Sequence, residues 1–370
     1  MLRDLSNLRN RPDTVLLFVI IALLVIGIIM VHSASHVWSA YKFDDSFYYL
    51  KRQLLFAGVG VIAMIFFMLI PYTIWKKYAN IILLACFILL LLVLIPGIGL
   101  VRGGARSWIG VGAFSIQPSE FMKLGLIVYL AALLAEKQKY ITSLTKGFLP
   151  CLLLIFTAFG LIMLQPDLGT GLVLVLTCIT MLFIAGARLS HFIGLGLVGL
   201  VGFTFLILSA PYRINRIVAF LNPWEDPLGD GFQIIQSLYA IGPGGLMGLG
   251  LGNSLQKYFY LPEPQTDFIF AIYAEELGFI GGLALILLFF VLLWRGIKIA
   301  LESTDPFARY LALGIIAMLL IQAMINISVV IGLIPVTGIT LPFLSYGGSS
   351  LTLTLCSVGI LLNISIHSKI

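Results

Sequence analysis

The side chains able to do chemistry fall in four short stretches. "LPEPQTDFIFAIYAEELG" carries Asp267, Glu275 and Glu276, "QPSEFMK" carries Glu120 and Lys123, "QPDLGT" carries Asp167, and "RGGARSW" carries Arg102 and Arg106. A carboxylate near neutral pH can take a proton from an attacking hydroxyl. Arginine presents a planar fork that holds a phosphate or pyrophosphate. Together these types suit transfer of a group away from an anionic leaving group. Other chemistries lack their signatures. The histidines (His32, His36, His191, His367) form no HExxH, the chain has no Walker loop and no GxSxG, and Cys86, Cys151, Cys178 and Cys356 lie singly in apolar runs as packing thiols.

Each candidate also has a plainer structural use. Asp267 and Asp167 each stand where a helix begins, so either can serve as an N-cap. Glu120 and Lys123 are three apart, share a helix face and can pair, lining a cavity or locking two helices. Arg102 and Arg106 suit a pyrophosphate or a lipid headgroup, and Arg213, in a long outer loop, joins the same set. On a helix, Glu275 and Glu276 lie about 12 Å beyond Asp267 and are turned from it by roughly 80° and 180°. They read as internal pairing groups, with Lys123 one candidate partner.

The elements that must position these residues are membrane spans. The chain is 60% hydrophobic and 10% charged, against about 25% charged in a soluble domain, so only a polytopic membrane protein can hide its apolar surface. The net charge of +6 comes from loops rather than from a basic stripe, which excludes nucleic acid as partner. About ten spans are predicted, over 14–33, 53–70, 80–100, 119–135, 148–164, 171–186, 190–209, 268–294, 308–333 and 346–366. The first is read as a retained span rather than a cleaved signal. A cytoplasmic tail over 1–13 places most lysines and arginines inside, so both termini are expected there. Acidic residues concentrate instead in outer connections, among them Asp44, Asp45, Asp167, Glu225, Asp226, Asp230, Glu263 and Asp267. The whole of 1–370 is read as one all-α membrane domain.

The longest outer connection, 210–266, is too long to be a plain linker. Within it Gly231 to Ile241 has helical apolar spacing, and Gly242, Gly244, Gly245, Gly248, Gly250 and Gly252 follow as a flexible or closely packed run. The uncharged stretch "GLIPVTGITLPFLSYGGSS" needs protein or a cavity against its irregular backbone.

"ARSWIGVGAFSIQPSEFMK", "QPDLGT", "NPWEDPLGDGFQIIQSLYAIGPGG", "LPEPQTDFIFAIYAEELG" and "GLIPVTGITLPFLSYGGSS" together resemble the SEDS family (shape, elongation, division and sporulation), in family order and across essentially the whole chain. The short tails, "YKFDDSFYYLKRQLLFAGVGVIAM" and "SAPYRINRI" look most like the sporulation branch, with the division branch next. His32 departs from the tyrosine common at its position. The resemblance implies a ten-helix fold and a peptidoglycan glycosyltransferase that polymerises lipid II on the outer membrane face, with undecaprenyl pyrophosphate leaving. It implies a class B penicillin-binding protein, a transpeptidase, as partner, and a divalent cation (Mg or Mn) as an optional cofactor. It places the family's essential outer aspartate at Asp267 and its cavity residues at Arg106, Glu120 and Lys123. A spore-cortex role and the membrane around the forespore follow from the branch. A lipid II flippase, or a scaffold recruiting the transpeptidase, remains open beside the enzyme.

Overall fold

The computed structural model describes residues 11–102, 105–111, 114–209, 211–229 and 231–368. Most of the predicted tail, residues 1–10, lies outside this set. Eight described helical stretches are long and apolar enough to cross a membrane, and two shorter apolar helices, Leu168–Ile184 and Leu189–Gly202, lie between them. Lipid cannot hydrogen-bond a peptide group, so each crossing must satisfy its backbone internally, as a helix does.

The first spans are α1 (Thr14–Phe43) and α2 (Tyr48–Leu69). Next come α3 (Tyr72–Lys77) and α4 (Ala79–Leu94), which share one crossing. Then α5 (Pro118–Lys137), α6 (Leu149–Met163), α7 (Leu168–Ile184) and α8 (Leu189–Leu208) follow. The last spans are α11 (Ile269–Glu302), α12 (Pro306–Val330) and α13 (Gly348–Ile366). Helix α12 packs against α5, α7, α11 and α13, and α2 lies along α13. Most of α13 is buried, whereas α2 and α4 turn bulky apolar side chains outward, as lipid-facing helices do. On the N-terminal side, Asp13 caps α1 through Leu16 and pairs with Arg295 of α11.

Three features depart from the predicted outline. The stretch after α4 forms a small antiparallel sheet, β1 (Gly99–Arg102), β2 (Ala105–Val111) and β3 (Phe114–Ile116), in the order β1-β2-β3. The predicted span to residue 100 therefore ends as helix at Leu94. The outer loop holds two helices, α9 (Pro211–Leu221) and α10 (Phe232–Gly244), where the spacing predicted only the second. Finally, α11 is interrupted at Gly278, whose φ of 65° and ψ of −164° no helical residue adopts. The four cysteines are buried and unbridged, and His32 stacks on Phe47 with ring centres 5.1 Å apart.

Candidate functional site

Asp267 stands two residues ahead of α11, partly exposed at the end of the long outer loop. The helix N-cap is Phe268, which makes no side-chain cap bond, so the N-cap reading of Asp267 is corrected. The loop turns into the helix one residue later than the sequence suggests, which moves the N-cap position from Asp267 to Phe268. Thr266 Oγ1 donates to Asp267 Oδ1 at 2.9 Å. The Asp267 backbone is clamped as well. Asn326 of α12, itself buried, sends Nδ2 to Asp267 O at 2.6 Å and to Ile339 O at 2.7 Å. One amide thus ties the mouth of α11 to the uncharged stretch between α12 and α13. The backbone N–H of Tyr346 adds a second tie, to Gln265 O at 2.8 Å.

One turn earlier on the same face of α12 is Gln322. Its Nε2 donates to Thr340 O at 3.0 Å, and its Oε1 accepts from Lys123 Nζ at 2.8 Å. Lys123 in turn lies 2.8 Å from Glu120 Oε1, and both are buried, at 3% and 8% exposure. So the Glu120–Lys123 pair on α5 and the Asp267 backbone ahead of α11 are both tied, through Gln322 and Asn326 of α12, to the adjacent carbonyls of Thr340 and Ile339. Neither bridging residue was singled out from the sequence. The signal was there: two amides four apart in an otherwise apolar span, which lipid would not tolerate.

Asp167 sits in the outer turn ahead of α7 and does cap it, accepting from the Thr170 N–H at 3.1 Å. It also accepts from Gln117 Nε2 at 2.8 Å and Ser119 Oγ at 3.1 Å, which fastens this turn to the start of α5. Burial pushes its carboxyl above the ordinary range, the hydrogen bonds from Thr170 and Ser119 pull it down, and nearby Glu120 pushes it further up. The next residue but one, Gly169, lies against Thr337 O so closely that a Cβ would stand 2.5 Å from it. The start of α5, the start of α7, the 337–346 stretch and the mouth of α11 therefore meet in one place.

Arg106 is in β2, across the ladder from Val101, and Arg102 is in β1. That sheet leads through β3 into Gln117 and α5. Arg213 is in α9; the side chains of Arg102 and Arg213 lie outside the described set. Glu275 and Glu276 lie in the first section of α11 and are fully buried. The suggestion that Lys123 pairs with one of them is corrected. Lys123 is taken by Glu120 and Gln322, and the cation at Glu276 is Lys257, with Nζ 3.2 Å from Oε1. The break in α11 lets the outer loop descend far enough to bring Lys257 there. A cavity of about 320 Å³ lies among Phe232, Gln233, Pro262 and Val336, beside the loop that ends at Asp267. A larger one, about 520 Å³, lies between α1 and α2 beside His32, Ser33 and His36. Among the described residues no three His, Cys, Asp or Glu side chains gather as a metal-holding group.

The chain matches the family model described as cell cycle protein, for FtsW, RodA and SpoVE, over residues 14–370. It is 66% identical over 365 residues to stage V sporulation protein E of Bacillus subtilis (strain 168), covering 99% of this chain and 100% of that protein. It is 48% identical to a probable peptidoglycan glycosyltransferase FtsW of Geobacter metallireducens, covering 97% of this chain and 96% of that one. Among solved structures it resembles a chain of a peptidoglycan synthase complex, with a TM-score of 0.78, 34% identity and coverage of 96% and 97%. It also resembles the rod shape determining protein RodA of Thermus thermophilus, with a TM-score of 0.72, 30% identity and 96% of each chain covered. With the fold, the length and the family model all in agreement, this chain belongs to the FtsW/RodA/SpoVE family of multi-pass membrane proteins.

Proposed function

We propose that this chain is a peptidoglycan glycosyltransferase that polymerises lipid II at the outer face of the cytoplasmic membrane, with both termini cytoplasmic and Asp267 as the general base. The observation that carries the reading is Asp267 itself. It is a partly exposed carboxylate at the mouth of a span, its backbone clamped by Asn326, one helical turn from the Gln322 that holds Lys123. A rigidly held base suits attack by a neutral hydroxyl, and basic groups held elsewhere in the site suit departure of an anion.

The acceptor lipid II presents the 4-hydroxyl of its N-acetylglucosamine. Asp267 takes the proton as the oxygen attacks the anomeric carbon of the donor glycan. The anomeric C–O bond breaks, and its electron pair leaves on undecaprenyl pyrophosphate. One base and one departing group complete an inverting displacement, with no covalent glycosyl-enzyme. Arg102, Arg106, Arg213 and Lys123 are the basic groups proposed to face the pyrophosphate. Asp167 and Glu120 hold the turns around them. Magnesium commonly binds through one or two carboxylates plus substrate phosphates. Among the described residues no three His, Cys, Asp or Glu side chains gather to hold such an ion, so a Mg or Mn would be held mainly by the substrate pyrophosphate, where it would supply charge neutralisation at the leaving group.

A class B penicillin-binding protein is the proposed partner, since a similar chain is solved within a peptidoglycan synthase complex. A role in the spore cortex, at the membrane around the forespore, is proposed from the 66% identity to the sporulation protein. The test is polymerisation of lipid II in detergent by the full chain with its partner, read as glycan on a gel. Asp267→Ala should abolish product while still binding the partner. Retained polymer would overturn the assignment. The interruption of α11 favours a second reading, since broken helices line the paths of many transporters. Polymer made in detergent, where no second leaflet exists, argues against translocation as the sole function.

A further inference from the structure

We infer that Lys257 and Glu276 are a positioning pair that sets the register of the glycine-rich loop on α11 and thereby the place of Asp267. The inference rests on reading Asp267 as the catalytic base. It begins at the break. In an unbroken helix the Glu275 and Glu276 carbonyls would accept from the amides of Phe279 and Ile280. Here they accept from Leu249 N at 2.9 Å and Gly250 N at 3.0 Å. The amides of Phe279 and Ile280 donate instead to Gly245 O at 2.9 Å and Leu246 O at 3.1 Å. The loop is thus spliced into the helix, satisfying both halves. The approach is backbone on backbone: a Cβ on Gly248 would stand 2.1 Å from Glu276 O, and one on Gly244 2.3 Å from Ala274 O.

These four bonds do not read sequence. Every residue but proline offers the same amide and carbonyl, and a run rich in glycine has few side chains to oppose a slip. Register must come from elsewhere, and the side chains below the splice supply it. Lys257 Nζ lies 3.2 Å from Glu276 Oε1 and also donates to Gly252 O. Ser254 Oγ donates to Glu275 Oε2 at 2.5 Å, and Leu255 N donates to Glu275 Oε1 at 2.8 Å. Ser33 of α1 reaches both Glu276 oxygens, at 2.7 and 2.8 Å. Lys257, Glu275 and Glu276 are all 0% exposed. A buried ion pair adds little net stability over apolar packing, and its best-attested service is to fix one arrangement among several.

What it fixes is a ring. From Lys257 the chain runs outward to Asp267, then returns through Phe268 and roughly 10 Å of helix to Glu276. The pair closes that ring at its base, with Asp267 at the far side. A slip of one residue at Lys257 changes the length left for 258–266 and moves the carboxylate. Displacing a catalytic group by about 1 Å costs on the order of a hundredfold in rate.

The experiment uses the full chain with its transpeptidase partner and lipid II. Glu276→Gln should lower kcat on the order of tenfold or more per folded molecule, with KM for lipid II held within about twofold. Hydrogen–deuterium exchange over 262–268 should rise in the same variant, whereas Lys257→Arg, with Glu276 intact, should retain more of the wild-type rate than Glu276→Gln does. Lys257→Met should show the same defect, and should it fail to fold, Lys257→Met/Glu276→Met removes both charges of the pair, leaves Glu275 on Ser254 and Leu255, and should fold while keeping the kcat defect. Wild-type kcat and unchanged exchange over 262–268 would overturn the inference, as would failure of every variant to fold, which marks a stability element only. Asp267→Asn separates the two readings. If it polymerises, the base assignment fails while the exchange measurement still tests the loop. If it is dead while Glu276→Gln is normal, the positioning pair fails and the base stands.

Discussion

Asn326→Leu removes the clamp on Asp267 without touching its carboxylate. The change nearly preserves volume and deletes two donated bonds, to Asp267 O at 2.6 Å and to Ile339 O at 2.7 Å. A hydrogen bond contributes a net ~0.5–1.5 kcal/mol, and those within membranes average ~0.6 kcal/mol. Two of them come to about 1–3 kcal/mol. At ~1.4 kcal/mol per tenfold in rate, kcat for glycan formation should fall on the order of tenfold to a hundredfold if the loss lies in placing the base. Asn326→Asp keeps the shape but turns an acceptor toward two carbonyl oxygens, so it should do no better. The assay is single-turnover polymerisation of labelled lipid II by detergent-purified protein and partner, beside a melting curve of the same preparation. A melt lowered by no more than that ~1–3 kcal/mol, together with depressed kcat, is expected. Wild-type kcat in both variants would refute the claim that this clamp places Asp267.

Further outcomes follow from the geometry. Lys123→Met strands Glu120 in a buried site and should cost about 3–5 kcal/mol, seen as a lower melting temperature and poor expression. Glu120→Gln/Lys123→Met should recover much of that loss. Gly248→Ala puts a Cβ 2.1 Å from Glu276 O at a φ of +80°, so it should not yield monodisperse protein by size-exclusion chromatography. Gly242→Ala, with nothing within 4 Å, should be tolerated or raise the melting temperature slightly. The Asp167 carboxyl is held above its ordinary range by burial, so the fold favours its neutral form. Its contribution is complete below the unfolded carboxylate pKa and is lost as pH rises through the folded value. Melting temperature should therefore decline with rising pH in the wild type, and Asp167→Asn should flatten that slope.

The spans were legible because a run of about 20 apolar residues has few other uses. Helix α12 was placed within a few residues, as Pro306–Val330 against 308–333. The sheet at 99–116 was not legible, because its strands are short and broken by glycines, and no alternation survives over four residues. Asp267 was legible by its exposure at a span's mouth. Its clamp was not, because Gln322 and Asn326 are uncharged and a charge survey passes over them. Nor could Lys257 be matched to Glu276. That contact depends on Gly278 breaking a helix whose sequence otherwise runs on apolar, and a single glycine does not announce a break.

The two polar systems around Asp267 share a physical cause. Within a bilayer, apolar side chains gain nothing by leaving lipid for one another, so packing alone cannot choose one loop geometry over its neighbours. Hydrogen bonds and ion pairs can, because the alternative is an unsatisfied polar group away from water. Here they are spent on the backbone around the base: Asn326 holds the Asp267 carbonyl from the α12 side, and Lys257 with Glu276 holds the loop that delivers Asp267 from the other. A soluble enzyme places a base with a packed core behind it. This chain clamps the base from two sides with buried polar groups, so uncharged and internally neutralised residues, rather than further acids at the mouth, should be where activity is lost without loss of fold.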